Sequence, residues 1–386
     1  MERQPRLAPE PGSFTEESMR ALRAMAGADA PLLLAYHPAY LGNPYQALLY
    51  GAARESAMAP VRMPRLSQLD ELLALQEHGV QTVLHLHWLH AIQQGATSEA
   101  DARRRAGAFL GRLDAYLAAG GRIAWTVHNI LPHETRFERT EIELSDQVAS
   151  RAEIIHIMSA QTPELVAPYF KLPKKKLVHV PHPSYRGTYP DHVSRLDARH
   201  ELELMPDELV IVALGAIRPY KGLDELLDAW AGVPTDRPRR LVIAGAPSNE
   251  ESVESLLERA AIEPGVLLDA RQIPADELQL FLRAADAAVF PYRRALNSGA
   301  LLLALTFGLP VIVPEGGGLA EAVEPAFSRT FKNGDQASLT AALTDASKLA
   351  NPKARAAAAE AAARLDPTEL ARRFAKDLRA RLDGAA

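Results

Sequence analysis

The sequence predicts an α/β protein made of two Rossmann-like, doubly wound parallel-sheet domains, residues 1–183 and 184–386. Short apolar segments alternate with amphipathic ones along nearly the whole chain, the pattern of β/α units on a parallel sheet. The alternation breaks at the Pro- and Gly-containing stretch Pro181–Pro190 and then restarts, which sets the boundary. At 386 residues the chain is too long for one ordinary core and about right for two.

In the first half, Pro31–Tyr36 reads as a strand and His37–Pro44 as the loop after it. Pro44 suits the first turn of a helix through Tyr45, Leu48, Leu49 and Ala52. A helix over Ser67–Gly79 leads to the strand Thr82–Trp88, and a long helix over Ser98–Ala119 ends at Gly120-Gly121. Gly121–His128 is the next strand. A helix at 134–151, a strand at Glu153–Met158, a helix at 162–170 and a strand at Leu177–Val180 complete the series. The second half repeats it, with strands near 209–215, 240–245, 265–270, 287–291 and 310–314. Helices from about 336 to 382 close the chain, the last expected to cross back onto the first domain. Two such halves are expected to form a cleft, the usual place for a ligand.

Composition narrows the class. Hydrophobic residues make up 47% and charged ones 24%, as in soluble globular proteins. The net charge of -5 gives no reason to expect nucleic acid. The lack of Cys excludes disulfides, thiolate metal sites and a Cys nucleophile, and fits the cytoplasm. Residues 1–29 are polar, with no apolar core for a signal peptide. The longest apolar run, Ala300–Val313, is broken by Gly308 and Pro310 and is too short to span a bilayer. Neither a P-loop motif nor a dinucleotide fingerprint after the first strand occurs.

Chemistry concentrates at the ends of strands. Gly215-Ala-Ile-Arg218-Pro-Tyr-Lys221-Gly222 joins the unbroken apolar strand Leu209–Leu214 to a helix marked by Leu223, Leu226, Leu227 and Trp230. Arg218 and Lys221 there suit a diphosphate, the alternative being a solvated basic turn. Phe290–Leu301 again passes from strand through polar loop to helix. Its Ser298 and Gly299 sit at the helix start, where free N–H groups welcome phosphate oxygens. After Val313 the run Gly316-Gly-Gly318 precedes Glu321; such a carboxylate can bind ribose hydroxyls, or the run is a plain mobile loop.

Histidines cluster in the first half: His85, His87, His90, His128 and His133 lie at or just beyond strand ends. No H-E-x-x-H spacing exists, which argues against zinc, and no metal is expected. His85 and His87 share one strand face, so at least one should be a buried, hydrogen-bonded structural residue. His128, Asn129, His133 and Glu134 share one loop and are candidates to bind a hydroxylated acceptor and remove its proton. Glu134 could equally be an acid stabilised by the dipole at a helix start.

Together these residues resemble the nucleotide-sugar glycosyltransferases of the two-Rossmann (GT-B) architecture. Gly215-x-x-Arg218-x-x-Lys221-Gly222 is similar to the family's donor-diphosphate motif, Gly308-Leu-Pro-Val-Ile312 to the strand after its donor helix, and Gly317-Gly-Leu-Ala-Glu321 to its ribose-binding element. The large retaining group of that architecture carries a Glu-x7-Glu pair whose positions here are Ala295 and Leu303. A narrower resemblance is to the bacterial exopolysaccharide β-mannosyltransferases of the xanthan type, which are inverting and use GDP-mannose. It rests on Asn43-Pro-Tyr45, His85-Leu-His-Trp88, His128-Asn-x-x-Pro-His-Glu134, Ile217–Gly222 and Asn297-Ser-Gly-x-Leu-Leu-Leu-Ala-Leu305.

The resemblance implies an inverting, metal-independent hexosyltransferase that uses a nucleoside diphosphate sugar, GDP-mannose or a UDP-sugar, as substrate and needs no separate cofactor. It implies a glycan or lipid-linked oligosaccharide as acceptor. Donor binding would fall to Arg218, Lys221, Asn297, Ser298, Gly299 and Glu321, acceptor binding to Asn43, Tyr45 and Trp88, and base catalysis to Glu134, His133 or His128. The alternatives are a retaining transferase of the same fold and a non-catalytic nucleotide-sugar-binding partner protein. Lys171-Leu-Pro-Lys-Lys-Lys176 adds the expectation of peripheral contact with the inner face of the plasma membrane, against a plain solvated loop.

Overall fold

The computed structural model describes residues 12–130, 136–234 and 238–384. The chain divides into two units, Met1–Pro183 with Pro367–Ala386, and Ser184–Asp366. Each contains one six-stranded parallel sheet.

In the first unit the strands are β1 (Leu32–His37), β2 (Met58–Arg62), β3 (Thr82–Leu86), β4 (Arg122–Val127), β5 (Ile154–Ile157) and β6 (Leu177–His179). They lie in the order β2-β1-β3-β4-β5-β6. β3 and β5 are buried along their whole length, which their near-continuous apolar sequences require of strands covered on both faces. The winding runs outward from β1 to β2, then reverses to place β3 on the other side of β1. Loops leaving β1 and β3 therefore splay apart, leaving a crevice at their carboxyl ends.

The second unit repeats the scheme with β7 (Leu209–Leu214), β8 (Arg239–Ala244), β9 (Val266–Asp269), β10 (Ala287–Val289), β11 (Val311–Pro314) and β12 (Ser328–Phe331). Their order is β12-β11-β10-β7-β8-β9, so the reversal falls between β7 and β10. Beneath it lies a core in which the helix Leu223–Ala231 buries Leu223, Leu226, Leu227 and Trp230 against β7 and β8 residues such as Ile211 and Leu241. Backbone N–H of Ser184 donates to the carbonyl of Leu365 at 2.9 Å, pairing the two ends of this unit.

Some elements differ from the sequence expectations. β2 carries Pro60 at its centre, tolerable because β2 is an edge strand with one neighbour. β12 is also a short edge strand, Ser-Arg-Thr-Phe, with little apolar signal. Within the polar N-terminal stretch, Phe14–Arg23 forms a helix capped by Ser13, whose side chain accepts from Glu16 N–H. The helix expected at 162–170 stops at Val166; Pro168, two residues on, has no N–H to continue the helical hydrogen bonds. The last helix, Pro367–Leu382, packs its Leu370, Phe374 and Leu378 into the first unit, and Phe374 stacks on His85 with ring centroids 5.6 Å apart.

Candidate active site

Both sheet reversals coincide with the sequence stretches richest in chemistry, and each is described within its own unit.

At the β7–β10 reversal, Gly215 leaves the strand and a single 3₁₀ turn, Pro219–Lys221, leads to Gly222. Gly222 has φ +64°, and a Cβ there would stand 2.1 Å from the carbonyl oxygen of Pro291, so only glycine lets the two loops approach so closely. Arg293 reinforces the pairing: its backbone N–H donates to Tyr220 O at 3.0 Å, and its guanidinium donates to Pro219 O at 2.6 Å and to Glu225 at 2.8 Å. Lys221 is buried. Its ammonium lies 5.3 Å from the centroid of the Tyr292 ring, and burial, with Arg218 nearby, lowers its pKa. The same nitrogen is 2.9 Å from where a Gly215 Cβ would stand, so the ammonium lies directly over the strand end.

Ser298 caps the helix Gly299–Thr306, accepting from Leu301 N–H at 3.1 Å. Its hydroxyl also hydrogen-bonds Tyr292, whose pKa burial raises to about 12. Asn297 and Gly299 flank it, both half-buried. Gly318 seals the third side, since a Cβ there would lie 1.6 Å from the carbonyl oxygen of Leu296. That contact presses the loop after β11 against the loop after β10; Glu321 follows, exposed, at the end of the short helix Gly317–Ala320. Lys221, Arg218, Asn297, Ser298, Gly299 and Glu321 thus all belong to three loops braced at one end of one sheet. Ala295 is half-buried and Leu303 is in the core, so neither position offers a carboxylate.

In the first unit the β1–β3 reversal carries the histidines. His85, His87 and His128 are all buried, and burial depresses each pKa well below the usual imidazole value. Trp88 stacks on His128 with centroids 4.0 Å apart and planes at 19°. Tyr45 is 1% exposed and meets the His87 and His128 rings edge-on, which makes it wall rather than an open acceptor contact. Asn43 turns inward locally, its side chain accepting from Tyr45 N–H at 3.0 Å. His90 is exposed. His133 and Glu134 lie outside the described residues. Among the described residues no three His, Asp or Glu side chains are arranged to hold a metal ion.

A pocket opens here, lined by His87, Trp88, His128, Asn129, Glu141 and Ser145 among others. Glu141 was missed by sequence reasoning. It is 3% exposed, accepts a 2.5 Å hydrogen bond from the Gln93 amide, and burial raises its pKa to about 7. The available signal was its place in the first turn of Glu138–Arg151 on the face that carries Leu144, Ser145 and Val148 inward.

Fold and site define a class. Residues 194–365 match the family model of Glycosyl transferases group 1, so the second unit carries a glycosyltransferase group 1 domain, and the fold of the chain is GT-B. More particularly, the chain is 29% identical over 314 residues to GDP-mannose:glycolipid 4-beta-D-mannosyltransferase of Xanthomonas campestris pv. campestris, covering 78% of this chain and 79% of that one. It is 32% identical over 207 residues to a D-inositol 3-phosphate glycosyltransferase of Jonesia denitrificans, 50% of this chain and 48% of that one. The fold is similar to that of Anabaena HepE in complex with UDP, at TM-score 0.65 and 15% identity over 90% of this chain and 99% of that one. Sucrose-phosphate synthase from Thermosynechococcus elongatus is similar at TM-score 0.66 and 17% identity, covering 93% and 100%.

Proposed function

We propose that the protein transfers a hexose from a nucleoside diphosphate sugar to a hydroxyl of a glycan or glycolipid, with inversion and without a metal ion. The observation that carries this reading is the pairing of a buried ammonium, Lys221, with Arg218 and the capped start of the helix Gly299–Thr306 around one strand end. A diphosphate leaving with two negative charges needs such fixed positive partners, and a helix N-terminus supplies them without reorganisation. GDP-mannose is the donor favoured by the Xanthomonas relative's name, and a UDP-sugar is the second choice, since the HepE relative is a UDP complex. Asn297 and Gly299 would complete the diphosphate contacts, and Glu321 would bind the ribose.

In the transfer, the acceptor oxygen bonds to the anomeric carbon as that carbon's bond to the diphosphate breaks. The electron pair leaves with the nucleoside diphosphate, and the acceptor proton passes to a base. Among the described residues, His128 is the candidate for that base; His133 and Glu134 remain candidates on the same loop. Trp88 and Glu141 would hold the acceptor in the pocket. Inversion is favoured because Ala295 and Leu303 replace the carboxylate pair of the retaining group.

The test is transfer of labelled sugar from a panel of nucleoside diphosphate sugars to lipid-linked and soluble glycans, with and without EDTA. Turnover with inverted product in excess EDTA is expected. Binding of donor without turnover on any acceptor would point to the partner-protein alternative instead.

A cytoplasmic location with contact at the inner membrane surface completes the proposal. Lys171, Lys174 and Lys175 are exposed, whereas Lys176 is tied down by donating to the Ser150 carbonyl at 2.7 Å. Each free lysine near an anionic leaflet contributes about 1 kcal/mol. Salt-sensitive sedimentation with anionic vesicles, lost on Lys174→Glu with Lys175→Glu, is the expected outcome. No helix among the described residues is long and apolar enough to cross a membrane.

A further inference from the structure

In the second unit the segments 219–222 and 291–293 run side by side, and two contacts fix their register. Gly222 packs against the carbonyl oxygen of Pro291, and Arg293 N–H donates to Tyr220 O at 3.0 Å. With 291 opposite 222 and 293 opposite 220, Tyr292 falls opposite Lys221. That register sets the Lys221 ammonium over the Tyr292 ring, 5.3 Å from its centroid, and both residues are buried.

The ring is an unusual partner for a buried cation. The ionisable groups that bear on the Lys221 pKa are Tyr220 and Arg218, with no carboxylate among them. Asp224 and Glu225, the acids that follow in sequence, are both engaged by the Arg293 guanidinium, at 2.5 and 2.8 Å. A carboxylate beside Lys221 would cancel its charge. An aromatic face attracts the ammonium through its quadrupole and leaves the net charge in place.

The far end of the same side chain reaches the helix Gly299–Thr306. The Tyr292 hydroxyl hydrogen-bonds Ser298, whose Oγ accepts from Leu301 N–H at 3.1 Å. Burial holds the phenol neutral, with its pKa pushed up to about 12. Phe290 and Tyr220 make T-shaped contacts with the ring, at centroid distances of 5.7 and 5.9 Å, and fix its plane.

We propose that Tyr292 is a positioning residue for the donor: its ring holds the Lys221 ammonium at the strand end with its charge intact for a nucleoside diphosphate, and its hydroxyl ties that support to the Ser298 helix start. This rests on the diphosphate reading of Lys221 given above.

Two measurements on the full chain test it. Lysine-selective ¹³C NMR reads the contact itself. The Lys221 ε-methylene protons should be shifted upfield by the ring, stay so in Tyr292→Phe, and return to the ordinary lysine position in Tyr292→Leu. Calorimetry with GDP and with UDP reads the consequence. Tyr292→Leu should weaken the tighter nucleotide about tenfold, while Tyr292→Phe, which keeps the ring, retains most of the affinity. In a Lys221→Ala background Tyr292→Leu should cost nothing further, because a residue that acts through Lys221 has no effect once the ammonium is gone. Melting curves confirm that each variant is folded. Equal losses in the two backgrounds overturn the proposal by making Tyr292 a packing residue only, and so does an unshifted Lys221 in the wild type. A shifted Lys221 together with wild-type nucleotide affinity in Lys221→Ala would leave the contact standing and sink the diphosphate reading instead.

Discussion

Lys221 and Glu141 are both ionisable groups placed where water does not reach freely, and each can be tested singly. Lys221 has its ammonium over the Tyr292 ring and against the Gly215 backbone, at the strand end itself. Lys221→Ala should leave the fold intact and lower kcat by about a hundredfold, on the order of 3 kcal/mol in barrier, measured at saturating donor. For Glu141 the sign follows from proton linkage. Its folded pKa, about 7, lies above its ordinary value of 4.5, so the folded state holds the proton more tightly. Stability from this group is present at acid pH and is lost as pH rises through 4.5 to 7. Glu141→Gln should therefore stabilise the protein at pH 8, by at most on the order of 3 kcal/mol at about 1.4 kcal/mol per pKa unit, and change little at pH 4. Denaturant melts at the two pH values measure the difference. The buried histidines work in the opposite sense, each resisting protonation and costing stability as pH falls below 6.5.

Among the elements, the helix Gly299–Thr306 has two duties at one end. Its Ser298 cap satisfies Leu301 N–H and also meets Tyr292, while the neighbouring free N–H groups are the proposed phosphate contacts. Ser298→Ala should cost about 1 kcal/mol of stability as a lost cap. It should also shrink the thermal shift produced by a matching nucleoside diphosphate, which is read by melting with and without that ligand. The loops around this helix start are held by glycines rather than by side chains. Gly222 against Pro291 and Gly318 against Leu296 bring three strand ends within backbone contact.

For the molecule as a whole, the informative feature is that the last helix belongs to the first unit. Leu370, Phe374, Leu378 and Leu382 are buried, and Phe374 lies against His85 and His156, so the helix covers those buried histidines. Ending the chain at Asp366 should lower the melting temperature of the first unit sharply, because each of those apolar side chains loses about 2 kcal/mol of burial. The second unit, complete from Ser184 to Asp366, should keep its own transition in calorimetry.

Much of this was legible beforehand. Strand and helix alternation, the break near Pro183 and the Arg218–Lys221 and Ser298 stretches are local patterns, and local spacing determines them. Asn43, Tyr45 and Trp88 were singled out only by resemblance, and the depth of Tyr45 was not legible at all. What the sequence did not reveal depends on neighbours far away in the chain. Whether Pro60 can sit in a strand depends on that strand being at an edge, and whether Glu141 titrates near neutrality depends on what buries it. That the buried His156 ring meets the Val180 carbonyl, 2.8 Å from its Nε2, depends on a contact that no local pattern connects to it. Periodicity is written into the chain because backbone geometry repeats residue by residue. Burial and hydrogen-bond polarity are decided only in three dimensions, since both are properties of which distant groups exclude water from one another.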